Sequence, residues 1–133
     1  MRRGVIYGVE SEMQYRTGQI YLARFVGYGN TQHGVRPCVI IQNNIGNKYS
    51  PNVIVLPITS SIKKITQPTH VLLSADNTGL FKDSLVLCEN PVTLSKELLG
   101  KYITTLSDEY MRQICLAYIK ATSIEYYLNI HIA

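Results

Sequence analysis

An arginine, a row of three hydroxyls, a histidine and a glutamate are the side chains of this 133-residue chain best suited to phosphate chemistry. Arg36 stands at the start of one apolar run, Cys38 to Ile41, behind Gly34, Val35 and before Pro37. Thr59, Ser60 and Ser61 close a second run, Val53 to Ile58. Both runs are rich in Val and Ile and bounded by turn residues, so they read as neighbouring buried strands. Paired antiparallel, they put Arg36 and Thr59 on one rim of the sheet. A guanidinium keeps its charge and offers a planar fork to two phosphate oxygens, and a threonine hydroxyl can donate to a third. His33, three residues before Arg36, titrates near working pH. Glu89, at a strand end, is a second proton carrier, its ionisation set by a nearby arginine. The plainer readings are a loop-propping arginine, a solvated histidine and a salt-bridged glutamate.

The elements that position these groups follow in chain order. Residues 1–16 have no clean period and read as an extension. Gln19 to Val26 alternates as a first strand, with Ile20, Leu22 and Arg24 on one face and Tyr21, Ala23 and Phe25 on the other. A polar, glycine-bearing loop then carries Gln32 and His33. Arg36 to Gln42 and Val53 to Thr59 form the second and third strands, joined by a polar loop from Asn44 to Asn52. His70 to Ser74 is the fourth strand, Ser84 to Cys88 the fifth and Tyr102 to Leu106 the sixth. Asp76, Asn77 and Gly79 make a turn. Ser95 caps a short helix from Lys96 to Leu99, stopped by Gly100, and Ser107 caps a longer one. In that longer helix Met111, Ile114, Cys115, Tyr118 and Ile119 form the expected buried stripe. An apolar, tyrosine-bearing tail, 123–133, should pack on the domain or on a partner. The sum is one domain of the α+β class, mainly β, built on a strongly curved, partly closed antiparallel sheet.

Composition narrows the function. No apolar run reaches the ~20 residues that span a bilayer, and Glu10 and Glu12 break what would be a signal-peptide core, so the expectation is cytoplasmic. The three cysteines Cys38, Cys88 and Cys115 sit apart in apolar segments and read as buried, reduced thiols. With His33, His70 and His131 they offer no metal-ligand spacing, so neither metal nor cofactor is expected. The net charge is +4, but it is uneven: residues 13–75 contain no acid and six Arg and Lys. A basic segment of that kind suits a polyanion, nucleic acid being the commonest.

The blocks Gly34-Val35-Arg36-Pro37, Ile40-Ile41-Gln42-Asn43, Ile45-Gly46-Asn47, Tyr49-Ser50-Pro51, Val53-Ile54-Val55, Pro57-Ile58-Thr59-Ser60 and Ile62-Lys63-Lys64 resemble, in order, the MazF/PemK toxin endoribonucleases of bacterial toxin-antitoxin pairs. The resemblance spans residues 17–122. It implies an SH3-like barrel, a homodimer, metal-independent cleavage of single-stranded RNA and inhibition by a cognate antitoxin. The family's catalytic arginine falls on Arg36 and its threonine on Thr59. An acid in a Cys-Asp-Gln-Pro segment of some members corresponds to Glu89 in Cys88-Glu89-Asn90-Pro91. The chain departs from the family at Thr17-Gly18-Gln19, at the acid-free loop Gly29-Asn30-Thr31-Gln32-His33-Gly34, and at Val92, where an arginine often precedes Thr93.

RNA can be cut by its own 2′-hydroxyl if a protein supplies a proton acceptor, a proton donor and positive charge for the phosphorane. Arg36 and Thr59 suit the charge and the donor; His33 or Glu89 suits the proton. Asn43, Ser60, Ser61, Asn90, Gln32 and Thr93 offer groups for base edges, Lys63 and Lys64 for phosphates, and Tyr28 or Phe25 a stacking face. The alternative is a non-cutting module on the same barrel that binds RNA or a protein, as the related gyrase-poisoning toxins do.

Overall fold

Alternation along the strand-forming runs decides which side chains meet. The structure, a computed structural model, describes residues 14–26, 34–62 and 67–132. Seven strands form: β1 (Gln19–Phe25), β2 (Gly34–Ile40), β3 (Asn52–Thr59), β4 (His70–Leu73), β5 (Ser84–Leu87), β6 (Val92–Ser95) and β7 (Leu99–Thr105). The described residues also form four α-helices: α1 (Asn44–Tyr49), α2 (Ala75–Thr78), α3 (Asp108–Lys120) and α4 (Ile124–Leu128). The sheet runs β4-β5-β3-β2-β1-β7, with β6 pairing β3. All its ladders are antiparallel.

The sheet buries both faces. Tyr21, Ala23, Phe25, Cys38, Ile40, Val53 and Val55 meet Leu94 and Leu99 inside the curl. Ile20, Val39, Leu56 and Ile58 face the other way, against Val71, Leu73, Val86 and Ile114 of α3. Each such Ile, Leu or Val contributes about 1.5–3 kcal/mol by leaving water. This is the partly closed, mainly antiparallel α+β architecture that the residue pattern predicts.

Several elements differ from the sequence reading. The connection 44–52, expected as a loop, contains α1. Its residues are poor helix formers, but Asn43 Oδ1 caps the Gly46 amide at 2.9 Å, and a Cβ on Gly46 would meet the Gln42 side chain at 2.9 Å. Strand β6 went unread because Val92–Ser95 has only two apolar residues and lacks the continuous apolar run of β5. Gly100, expected to stop a helix, lies inside β7 against the Leu22 carbonyl. A 3-10 turn, Lys96–Leu98, replaces the short helix, and α2 replaces the turn at Asp76, ended by Gly79 at φ 85°. In α3, Ile114 and Ala117 are buried whereas Cys115 is exposed, so the stripe is narrower than spacing suggested.

The tail packs only in part. Glu125 accepts the Ile132 amide at 2.7 Å and pairs with Lys120 at 3.2 Å, which draws the chain end back onto α4. The Ile132 hydrogen bond first, and Lys120 second, hold this carboxyl below the usual carboxylate range. The contribution is present above the ordinary carboxylate pKa and is lost as pH falls through the lowered one. Tyr126 and Tyr127, stacked edge to face at 5.0 Å, remain about four-fifths exposed.

Asn47, buried at 2% exposure, ties the corner where β1, β2 and β3 meet. Its Nδ2 donates to the Gln42 carbonyl and to Asn44 Oδ1, both at 3.0 Å, and its Oδ1 accepts from Gln42 Nε2 at 3.2 Å. Its carbonyl accepts from Lys96 Nζ at 2.5 Å. Thr17 joins through its hydroxyl to Gln42 (2.6 Å) and its amide to Asn44 (2.8 Å). Replacing Asn47 with Leu strands these partners, so urea melts of Asn47→Leu should lose about 1–3 kcal/mol; unchanged midpoints would show the network to be idle. Burial pushes the thiols of Cys38 and Cys88 up to about 12. Iodoacetamide at neutral pH should therefore label Cys115 alone in the native protein and all three cysteines in urea, read by mass.

Candidate active site

The site begins with a glycine. Gly34 opens β2 at φ 86°, in the left-handed region, and leads through exposed Val35 to exposed Arg36. Across the β1 ladder Arg36 faces Ala23, a small and fully buried residue that leaves the surface above it to the guanidinium. On the other edge β2 and β3 pair Ile40 with Val55, Val39 with Leu56 and Cys38 with Pro57. The ladder ends at Cys38 and Pro57; the same register carried two positions further would bring Arg36 opposite Thr59. Directly opposed residues share a face, so both side chains would then issue from the same side of the sheet as Cys38 and Val55, at the mouth of the inner core.

Thr59 ends β3, half-buried beside Leu85 of β5. Its hydroxyl oxygen accepts the Ser61 amide at 3.1 Å, and Ile62 bonds back to the Ser60 carbonyl at 3.0 Å. This turn stops the strand and leaves the Thr59 hydroxyl hydrogen for an outside acceptor. Ser60 and Ser61 are exposed at the same end.

The remaining sequence candidates sit on other elements. Glu89 lies in the turn that follows β5. Its carboxylate takes His70 Nε2 at 2.9 Å. Asn90 continues that turn, bonded to Leu87. Thr93 pairs with Ile54, five positions from Thr59, or about 16 Å. Asn43, expected to read a base, is the cap of α1 and lies beyond the far end of β2. Glu89 and Asn90, which the sequence offers for a proton and a base edge, follow β5, whereas Asn43 caps α1 and Thr93 lies on β6. His33, Gln32, Tyr28, Lys63 and Lys64 lie outside the described residues, as does most of the extension.

His70 was missed. Its ring is about 12% exposed, and Nδ1 is buried without a hydrogen-bond partner among the described residues. It opens a strand directly after a turn, a position that reads as ordinary strand in a single sequence. Among the described residues no three His, Cys, Asp or Glu gather as metal ligands, and no helix is long and apolar enough to cross a membrane.

Residues 16–121 match the family of PemK-like, MazF-like toxins of type II toxin-antitoxin systems. An endoribonuclease MazF from Staphylococcus saprophyticus is 47% identical over 100 residues, 74% of this chain and 83% of that protein. The chain belongs to this toxin family. Among solved structures, a mycobacterial endoribonuclease in complex with its cognate antitoxin is 25% identical, covers 90% of this chain and 97% of its own, and superposes with a TM-score of 0.64. MazF from Deinococcus radiodurans shares the fold at 17% identity and a TM-score of 0.68, over 80% of this chain and 94% of its own. The curled sheet is thus the MazF-like toxin fold.

Proposed function

We propose that this MazF-like endoribonuclease toxin cuts single-stranded RNA without metal, at the rim formed by Arg36 and Thr59. The 2′-oxygen of the ribose attacks its own phosphorus, and the bond to the 5′-oxygen breaks. A 2′,3′-cyclic phosphate and a 5′-hydroxyl remain, one proton leaving the 2′-oxygen and one arriving on the 5′-oxygen. Arg36 holds two phosphorane oxygens through its fork, and Thr59 donates to a nonbridging oxygen. The observation that supports the reading is the β2–β3 register, whose last pair is Cys38 with Pro57 and which, continued by two positions, would bring Arg36 and Thr59 to one face. His33, three residues ahead of Arg36 in sequence, takes the 2′-hydroxyl proton. Glu89, drawn along β5 toward His70, serves the bound strand at a distance, with Asn90 and Thr93.

The antitoxin-bound mycobacterial relative supports a cognate antitoxin as partner here. A homodimer and a bacterial cytoplasmic location complete the reading, as for a toxin that acts on messenger RNA.

Incubation of the pure protein with a long transcript in chelator should give discrete fragments with 5′-hydroxyl ends. Arg36→Ala is expected to slow this about 10²–10³-fold, the cost of one lost transition-state donor; Thr59→Val should fall in the same direction. Intact RNA across pH and salt would instead favour a non-cutting partner-binding module. In pH-rate profiles of single turnovers, His33→Ala should lose the limb near the imidazole range. Glu89→Gln should keep that limb. The reverse pattern would assign the proton to Glu89.

A further inference from the structure

On the other side of the same rim lies an open groove of about 530 Å³. Pro37 and Ser60 form its near wall, and they are the residues next to Arg36 and Thr59. Strand alternation turns each neighbour to the opposite face, so the groove and the Arg36–Thr59 face meet at the lip of β2 and β3. Leu22 and Ile103 line it with apolar surface. Phe81, in the turn before β5, is fully exposed there, an unusual place for a bare aromatic ring. Tyr102 of β7 also borders the groove, but its ring packs edge-on against its ladder partner Tyr21 at 5.7 Å and its hydroxyl bonds Thr105 at 2.7 Å, so Phe81 is the ring the groove offers.

The charge at this groove has one sign. Lys82 and Lys101 both line it, and none of its lining residues is acidic. Asp83, next in sequence, is turned away to accept the Ala75 amide at 2.8 Å. Aromatic faces for bases with cations for phosphates are the combination that holds single strands.

We propose that this groove is a subsite for RNA nucleotides adjoining the scissile phosphate. It rests on the ribonuclease reading and extends it: the strand crosses the lip, its reacting phosphate at Arg36 and Thr59, its next base against Phe81 and its next phosphate beside Lys82 and Lys101. Stacking is tolerant of base identity, so the groove adds affinity for longer strands more than it selects sequence. A protein partner would gain less from two unopposed lysines around an exposed ring than a polyanion does.

The test uses the intact protein and two strands built around a mapped cut site, each with a 2′-deoxy sugar at the cut so that it binds without reacting. One strand ends at the nucleotide after the cut on either side; the other extends by four more on both sides. Wild type should prefer the long strand, and Phe81→Ala should reduce that preference about tenfold, within the range measured for a base stacked on an aromatic ring. Lys82→Ala with Lys101→Ala should reduce the salt slope of long-strand binding by about 1.4. Circular dichroism melts of these surface variants check the fold, and Phe81→Tyr should restore the preference. Equal preference in wild type and Phe81→Ala, with cutting still dependent on Arg36, overturns the subsite and leaves the ribonuclease reading standing. Loss of self-association or antitoxin binding in Phe81→Ala, with long-strand RNA binding intact, overturns it in favour of a protein surface. Cutting that ignores Arg36, with Phe81-dependent long-strand binding, supports the groove and removes the assigned catalytic site.

Discussion

The registration of β2 against β3 is the constraint on which the site depends. A slip of one residue would exchange the faces of Arg36 and Pro37, sending a guanidinium toward the packing of Ile20, Leu56 and Ile114. Hydrophobic patterning alone cannot forbid that slip, because the sheet is apolar on both faces. The connection between the two strands has to fix it. Asn43 caps α1, Gln42 bonds the Asn52 carbonyl at 3.1 Å, and Asn47 fastens the middle of the connection to Gln42 and Lys96. The Ile41 and Gln42 amides then both reach the Ile54 carbonyl. A polar knot at one end of the strands thereby determines which functional groups coincide at the other.

Those same polar residues limited what the sequence could reveal. The β1, β2, β3 and β5 runs were legible because long stretches of Val, Ile and Leu between turn residues admit few other structures, and α3 because Ser107, Asp108 and Glu109 mark its start. Helix α1 was not, since Asn and Gly have low helix propensity and only tertiary hydrogen bonds offset it. The exposure of Cys115 was also hidden: helical spacing gives a face but not its width, and here the buried residues of α3 are Ile114 and Ala117.

For the proposed site, the antiparallel pairing of the strands that carry Arg36 and Thr59 followed from two apolar runs and a short connection, whereas distance along a strand did not. Glu89 and Thr93 look close to the rim when motifs are read as a string. A strand adds about 3.3 Å per residue, so four or five positions are enough to remove a side chain from direct contact. Residues matching one motif can then belong to one bound polymer without belonging to one reacting centre.

The His70–Glu89 pair illustrates the difference. A hydrogen on Nε2 is donated to the carboxylate and leaves Nδ1 an unpartnered acceptor, whereas a hydrogen on Nδ1 would leave a buried donor without an acceptor among the described residues. One Glu89 oxygen is therefore an acceptor already engaged within the protein, and its capacity for an RNA hydroxyl is what the other oxygen retains. Thr59 is arranged in the opposite sense: its oxygen accepts the Ser61 amide, and its hydroxyl can still donate. Placed at the rim with Arg36, such a donor favours an oxygen whose negative charge grows during reaction, and this is why the chemistry is assigned to the end of β3 and strand holding to the turn after β5.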